Sequence, residues 1–99
     1  MGRNPRRRPA RLAEKLRTIR EILGLSQNEM VSRLGFSDEL TREEVSAFER
    51  GTHEPNLLVL LAYSEAANVF LEVLVRDDLD MPNRLPCKNK HGGVRRRNL

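Results

Sequence analysis

The chain has 99 residues, about one domain's worth, with 38% apolar, 32% charged and 4% aromatic side chains and no Trp. Its lone Cys87 and its longest apolar run, the seven residues from Leu57 to Tyr63, argue against a disulfide scaffold and a membrane span, which needs about 20 apolar residues. The net charge of +4 is segregated: residues 1–11 and 84–99 carry +11 together, whereas residues 12–83 carry −7.

The chain opens on Arg3, Arg6, Arg7, Arg8 and Arg11, with Pro5 and Pro9 keeping this run out of a helix. No apolar stretch follows it, so it does not read as a secretory signal. Leu12, Leu16, Ile19, Ile22 and Leu23 then recur at helical spacing, and Gly24 suits the end of that helix. Ser26 to Glu29 forms a capping box, with Leu25 and Met30 at the staple positions, and predicts a second helix to Leu34 that stops at Gly35. The same pattern recurs at Thr41 and Glu44, with Leu40 and Val45 as the staple. It predicts a third helix that buries Val45 and Phe48 and ends at Gly51. Asn56 is the cap of a fourth helix running to about Ala67, and Val69 to Val75 reads as a short fifth. Beyond it, Asp77 to Met81 is expected to fray, and Pro82 and Pro86 break what remains. No segment alternates as a strand does. The prediction is an all-α body over residues 11–80, with a basic arm at 1–10 and a basic tail at 81–99.

Cationic arms on an acidic body suit a polyanion, because Arg matches phosphate geometry and is weakly hydrated. Solubilising tails would have the same composition.

Two short capped helices joined across Gly35 are a helix-turn-helix candidate. Leu25-Ser26-Gln27, Leu34-Gly35, Val45-Ser46-Ala47-Phe48-Glu49-Arg50-Gly51, Pro55 and Leu57 together resemble the Cro and phage-repressor type of helix-turn-helix domain, the XRE family, over residues 12–76. The pattern continues through Leu60, Ala66, Asn68-Val69 and Leu74. This resemblance implies a small lambda-repressor-like bundle of five helices whose third helix enters the DNA major groove. It implies that Arg20 and Glu49 form an ion pair tying helix one to helix three. It places Gln27 where the family meets phosphate, and Arg42 and Glu43 where base edges are read. Ser46 and Ala47 follow one turn on, on the same expected exposed side, and Arg50, Thr52 and His53 sit where the next loop touches the backbone. Chemically, Arg42 can pair with guanine, Glu43 can accept from a cytosine amine, and Ala47 can touch a thymine methyl. Arg6, Arg7 and Arg8 could follow a minor groove.

Two features depart from the pattern. The stretch from Gly35 to Val45 is about four residues longer than a tight helix-turn-helix connection allows. Either the turn is extended or helix three gains a turn at its front. Asp38, Glu39, Glu43 and Glu44 also crowd the reading end, where carboxylates repel phosphate but favour the helix dipole.

Other constellations are thin. Cys87 and His91 offer two ligands where a structural zinc site uses four, so no metal is expected. His53 and Glu54 lack a nucleophile, so no catalysis or cofactor is expected. Leu57 to Leu61 is apolar all round a helix. The resemblance buries Leu57, Leu60 and Leu61, leaving Leu58 and Val59 as a self-association face or as a surface for the tail. The expectation is a cytoplasmic, sequence-specific regulator of double-stranded DNA, a repressor and homodimer with no membrane contact. Its rivals are a protein-interaction module of antitoxin type, with an unknown partner, and a nonspecific nucleic-acid binder.

Overall fold

The computed structural model describes residues 7–87. Among these residues there are five helices and no strand: α1 (Leu12–Leu23), α2 (Gln27–Leu34), α3 (Arg42–Arg50), α4 (Leu57–Ala67) and α5 (Leu71–Val75). No helix among them is long and apolar enough to cross a membrane. The α1 helix packs on α3, α4 and α5, while α2 packs on α3 and α4. One core joins them, with Leu16, Ile19, Met30, Val45, Tyr63 and Leu74 wholly out of solvent. Burial of side chains of this size contributes about 1.5–3 kcal/mol each.

Both boxes form in full. Ser26 accepts from the Glu29 amide at 3.1 Å, and Glu29 accepts from the Ser26 amide at 2.8 Å. Thr41 and Glu44 repeat this at 3.2 and 3.1 Å. The second box settles the long connection. Since α3 begins at Arg42, the extra residues lengthen the turn and not the helix. Within that turn the Glu39 and Leu40 amides both donate to the Phe36 carbonyl, at 2.9 and 2.8 Å, and Leu40 is buried. Gly35 leaves α2 at φ +81°, a conformation that a β-carbon would strain.

Three expectations need correction. In α4 the buried apolar residues are Val59, Leu60, Tyr63 and Ala67, whereas Leu57 and Leu61 stay 67% and 41% exposed. Because this segment is apolar all round, its sequence carries no phase. The Asn56 cap on the Val59 amide fixes where the helix starts, and the packing of Val59, Leu60, Tyr63 and Ala67 into the core fixes its rotation. The fifth helix starts at Leu71, because the Val69 amide returns to the Ser64 carbonyl and belongs to the end of α4. Finally, residues 77–87 are docked on the body. Met81 and Leu85 pack against the core, and the Pro86 carbonyl accepts from the Asn68 amide side chain at 2.7 Å.

That docking is driven by polar groups that α1 cannot satisfy alone. Arg11 supplies no side-chain cap to α1. Asp77 does so from across the chain, accepting from the Ala10 and Arg11 amides at 3.0 and 3.1 Å. These two bonds hold its carboxyl below the ordinary carboxylate range. One turn along, Lys15 is 1% exposed, and its Nζ donates to the carbonyls of Val73, Arg76 and Leu79 at 2.8, 2.7 and 2.7 Å. Desolvation lowers its pKa. A buried ammonium is tolerated here because all three of its protons have acceptors, two of them the last carbonyls around α5.

Candidate nucleic-acid interface

Glu49 organises the centre of the site from the inner side of α3. Its carboxylate takes both prongs of the Arg20 guanidinium, Nε at 2.7 Å and Nη2 at 3.0 Å. The third nitrogen, Nη1, donates to the Leu25 carbonyl at 2.9 Å. Arg20 thereby ties α1, the α1–α2 turn and α3 together. Gln27, at the first position of α2, donates to the same carboxylate at 3.3 Å. The Glu49 side chain is 5% exposed and that of Arg20 17%. The Glu49 hydrogen bonds raise the Arg20 pKa further. Tyr63 lies beneath, wholly buried, with no hydrogen-bond partner for its hydroxyl among the described residues. Burial first, then the Glu49 charge, pushes its phenol above the ordinary range.

With its inner side fixed, α3 offers its outer side to solvent. Arg42 and Glu43 are exposed at its first turn and loosely paired at 3.9 Å. Ser46 is half-buried, and Arg50 is exposed with its Nε on the Ser46 carbonyl at 3.3 Å. Positions 42, 43, 46 and 50 share one face. Ala47 does not belong to it. It is 7% exposed and lies in a groove with Phe36, Leu40 and Val59, so its expected exposure is corrected. The lengthened turn and the start of α4 cover this side of α3.

Thr52 and His53 are exposed just past α3, where the Thr52 hydroxyl and amide both return to the Ala47 carbonyl, at 3.2 and 3.0 Å. Arg8 borders the same cleft as Thr52, His53 and Asn56, so the base of the N-terminal arm runs beside this loop. Arg7 is exposed next to it. Arg6 lies outside the described residues, as does His91, the suggested partner of the exposed Cys87. No cluster of three or more metal-ligating side chains exists among the described residues.

Lys15 and Asp77 are the structural residues that the sequence reading passed over. A signal was there for Lys15. It falls at the helical spacing of Leu12, Leu16 and Ile19, so the apolar stripe itself buries it.

Residues 13–76 match the family described as the helix-turn-helix domain. The chain belongs to this helix-turn-helix family. A solved structure of the P22 c2 repressor protein in complex with a synthetic operator is similar to it, with a TM-score of 0.59 and 28% sequence identity. The likeness covers 68% of this chain and 96% of that one. No curated protein matches. The all-α fold is thus that of a phage-repressor-like helix-turn-helix domain.

Proposed function

We propose that this helix-turn-helix protein is a transcriptional regulator that binds double-stranded DNA sequence-specifically and acts as a repressor. The observation that carries the proposal is the edge formed by exposed Arg42, Glu43 and Arg50 with half-buried Ser46 between them, on a helix whose opposite side is locked by the Arg20–Glu49 pair. Its support is the likeness to the P22 c2 repressor, a protein solved on an operator. In this reading α3 lies in the major groove. Arg42 pairs with guanine O6 and N7, and Glu43 accepts from a cytosine amine. Gln27, Thr52, His53 and Arg8 contact phosphates and fix the register, as backbone contacts do elsewhere. The Arg-rich N-terminal arm, including Arg6 and Arg7, adds sequence-independent affinity. No catalysis, cofactor or membrane contact enters this reading, and the protein works in the cytoplasm on the nucleoid.

The protein acts as a homodimer through α4. Leu57, Leu58 and Leu61 are 67%, 64% and 41% exposed on one short helix, more apolar surface than a lone regulator domain gains from showing. A twofold dimer reads an inverted repeat whose half-sites lie about 10 base pairs apart, or a multiple of that.

Site selection from a random duplex pool tests both statements. An enriched inverted repeat is expected. A pool that returns no motif would reduce the protein to a nonspecific nucleic-acid binder.

A further inference from the structure

A groove of about 450 Å³ runs along the covered side of α3, between the lengthened turn and the start of α4. Its apolar wall includes Phe36, Leu40, Ala47 and Phe48, and its rim carries Glu39 and Glu43. Both rim carboxylates are exposed, and no base among the described residues pairs with Glu39. An apolar trough with acidic edges fits a cationic peptide whose stems lie on the wall while its charges meet the rim.

This chain carries such a peptide. Its last twelve residues, from Lys88 to Leu99, hold Lys88, Lys90, Arg95, Arg96 and Arg97 and no acid, and they end in Leu99. The chain also arrives within reach. Pro86 is held to Asn68 at the far end of α4, while Asn56, at the near end, borders the groove. Those twelve helical positions span about 18 Å at 1.5 Å each. The eight residues from Lys88 to Arg95 can extend to about 26 Å, which carries the chain beyond Asn56 at the groove's border.

We propose that the groove is the docking site of this chain's own C-terminal segment, with Arg95 to Arg97 on Glu39 and Glu43 and Leu99 toward the apolar wall. Seated there, the segment neutralises the acids that crowd the front of α3. Because Glu43 stands at the edge proposed to read bases, duplex DNA and the segment compete for the same end of the helix. That competition rests on the DNA-binding reading, whereas the seating does not.

The test uses the full chain, isotope-labelled, with Cys87→Ser and Asn98→Cys and a nitroxide at position 98, beside the Leu99 anchor. The amides of Glu39, Leu40, Glu43 and Ala47 should lose intensity in dilute buffer. They should recover at ~1 M salt, where screening shortens to about 3 Å. They should also recover with Glu39→Gln and Glu43→Gln together, or with Arg95, Arg96 and Arg97 all changed to Gln. Amides untouched in dilute buffer, or losses that survive either set of substitutions, overturn the seating. Losses seen only when nitroxide and isotope sit on different molecules would assign the groove to a second copy and overturn it equally. Added duplex should restore the signals. Seating that persists under saturating, demonstrably bound duplex would overturn the competition alone. Failure of the duplex to bind at all would count against the DNA reading and leave the seating intact.

Discussion

Arg20 and Glu49, 29 positions apart, meet as a two-pronged pair at 2.7 and 3.0 Å, and the Glu49 side chain is 5% exposed. The pair sets how α3 sits on α1. Removing one partner strands the other charge in a low-dielectric site, at a cost of about 3–5 kcal/mol. Urea unfolding of Arg20→Met and of Glu49→Leu should each show a loss of that size. The double substitution should lose clearly less than the sum, because neither charge is then left alone. Additive losses would mean that the pair contributes nothing as a pair.

Asp77 gives a pH signature. The amides of Ala10 and Arg11 hold its carboxyl below the ordinary value of 3.8. On acidification the unfolded chain therefore takes up this proton first. The stabilisation is fully present above about pH 3.8 and is lost as pH falls through the lower, folded value. Asp77→Asn should remove this part of the acid step in thermal melts. Wild type and variant should converge at the acid end and part above it.

At the proposed interface two arginines should behave differently. Arg42→Ala should cost about 1–3 kcal/mol on the selected site and relax preference at one base pair. Arg7→Ala should weaken all duplexes alike and reduce the salt slope by about one. Anisotropy titrations on matched and mismatched duplexes across salt separate the two. If Arg42→Ala left affinity for the selected site unchanged, the assigned register of α3 would be wrong.

Leu58 is 64% exposed, so Leu58→Glu should leave the monomer's fold intact. Placed in a self-facing surface, it sets like charges against each other. Sedimentation should show the variant at half the mass of the wild type. It should bind an isolated half-site as the wild type does and a full inverted repeat far less tightly.

The helices were legible because their ends are chemically marked. Ser26 with Glu29, and Thr41 with Glu44, announce two starts by local rules alone, and both formed as boxes. The rotation of α4 was not legible. Leu57 to Leu61 has no polar face, so only tertiary packing chooses between Leu57 and Val59. The position of Ala47 was hidden for a related reason. Helical spacing groups it with Glu43, yet the lengthened turn, whose path no local rule fixes, covers that side. The docking of residues 77–87 depends on Asp77 meeting amides 66 and 67 positions earlier, which periodicity does not register.

The matched family region closes at Arg76, one residue short of Asp77 and three short of the Leu79 carbonyl. A version trimmed to the last helix would keep every helix and still be a poorer protein. Its first helix would lose its distant lid, and its innermost lysine would face open space where an oxygen had been. The working unit is therefore longer than the motif that names it.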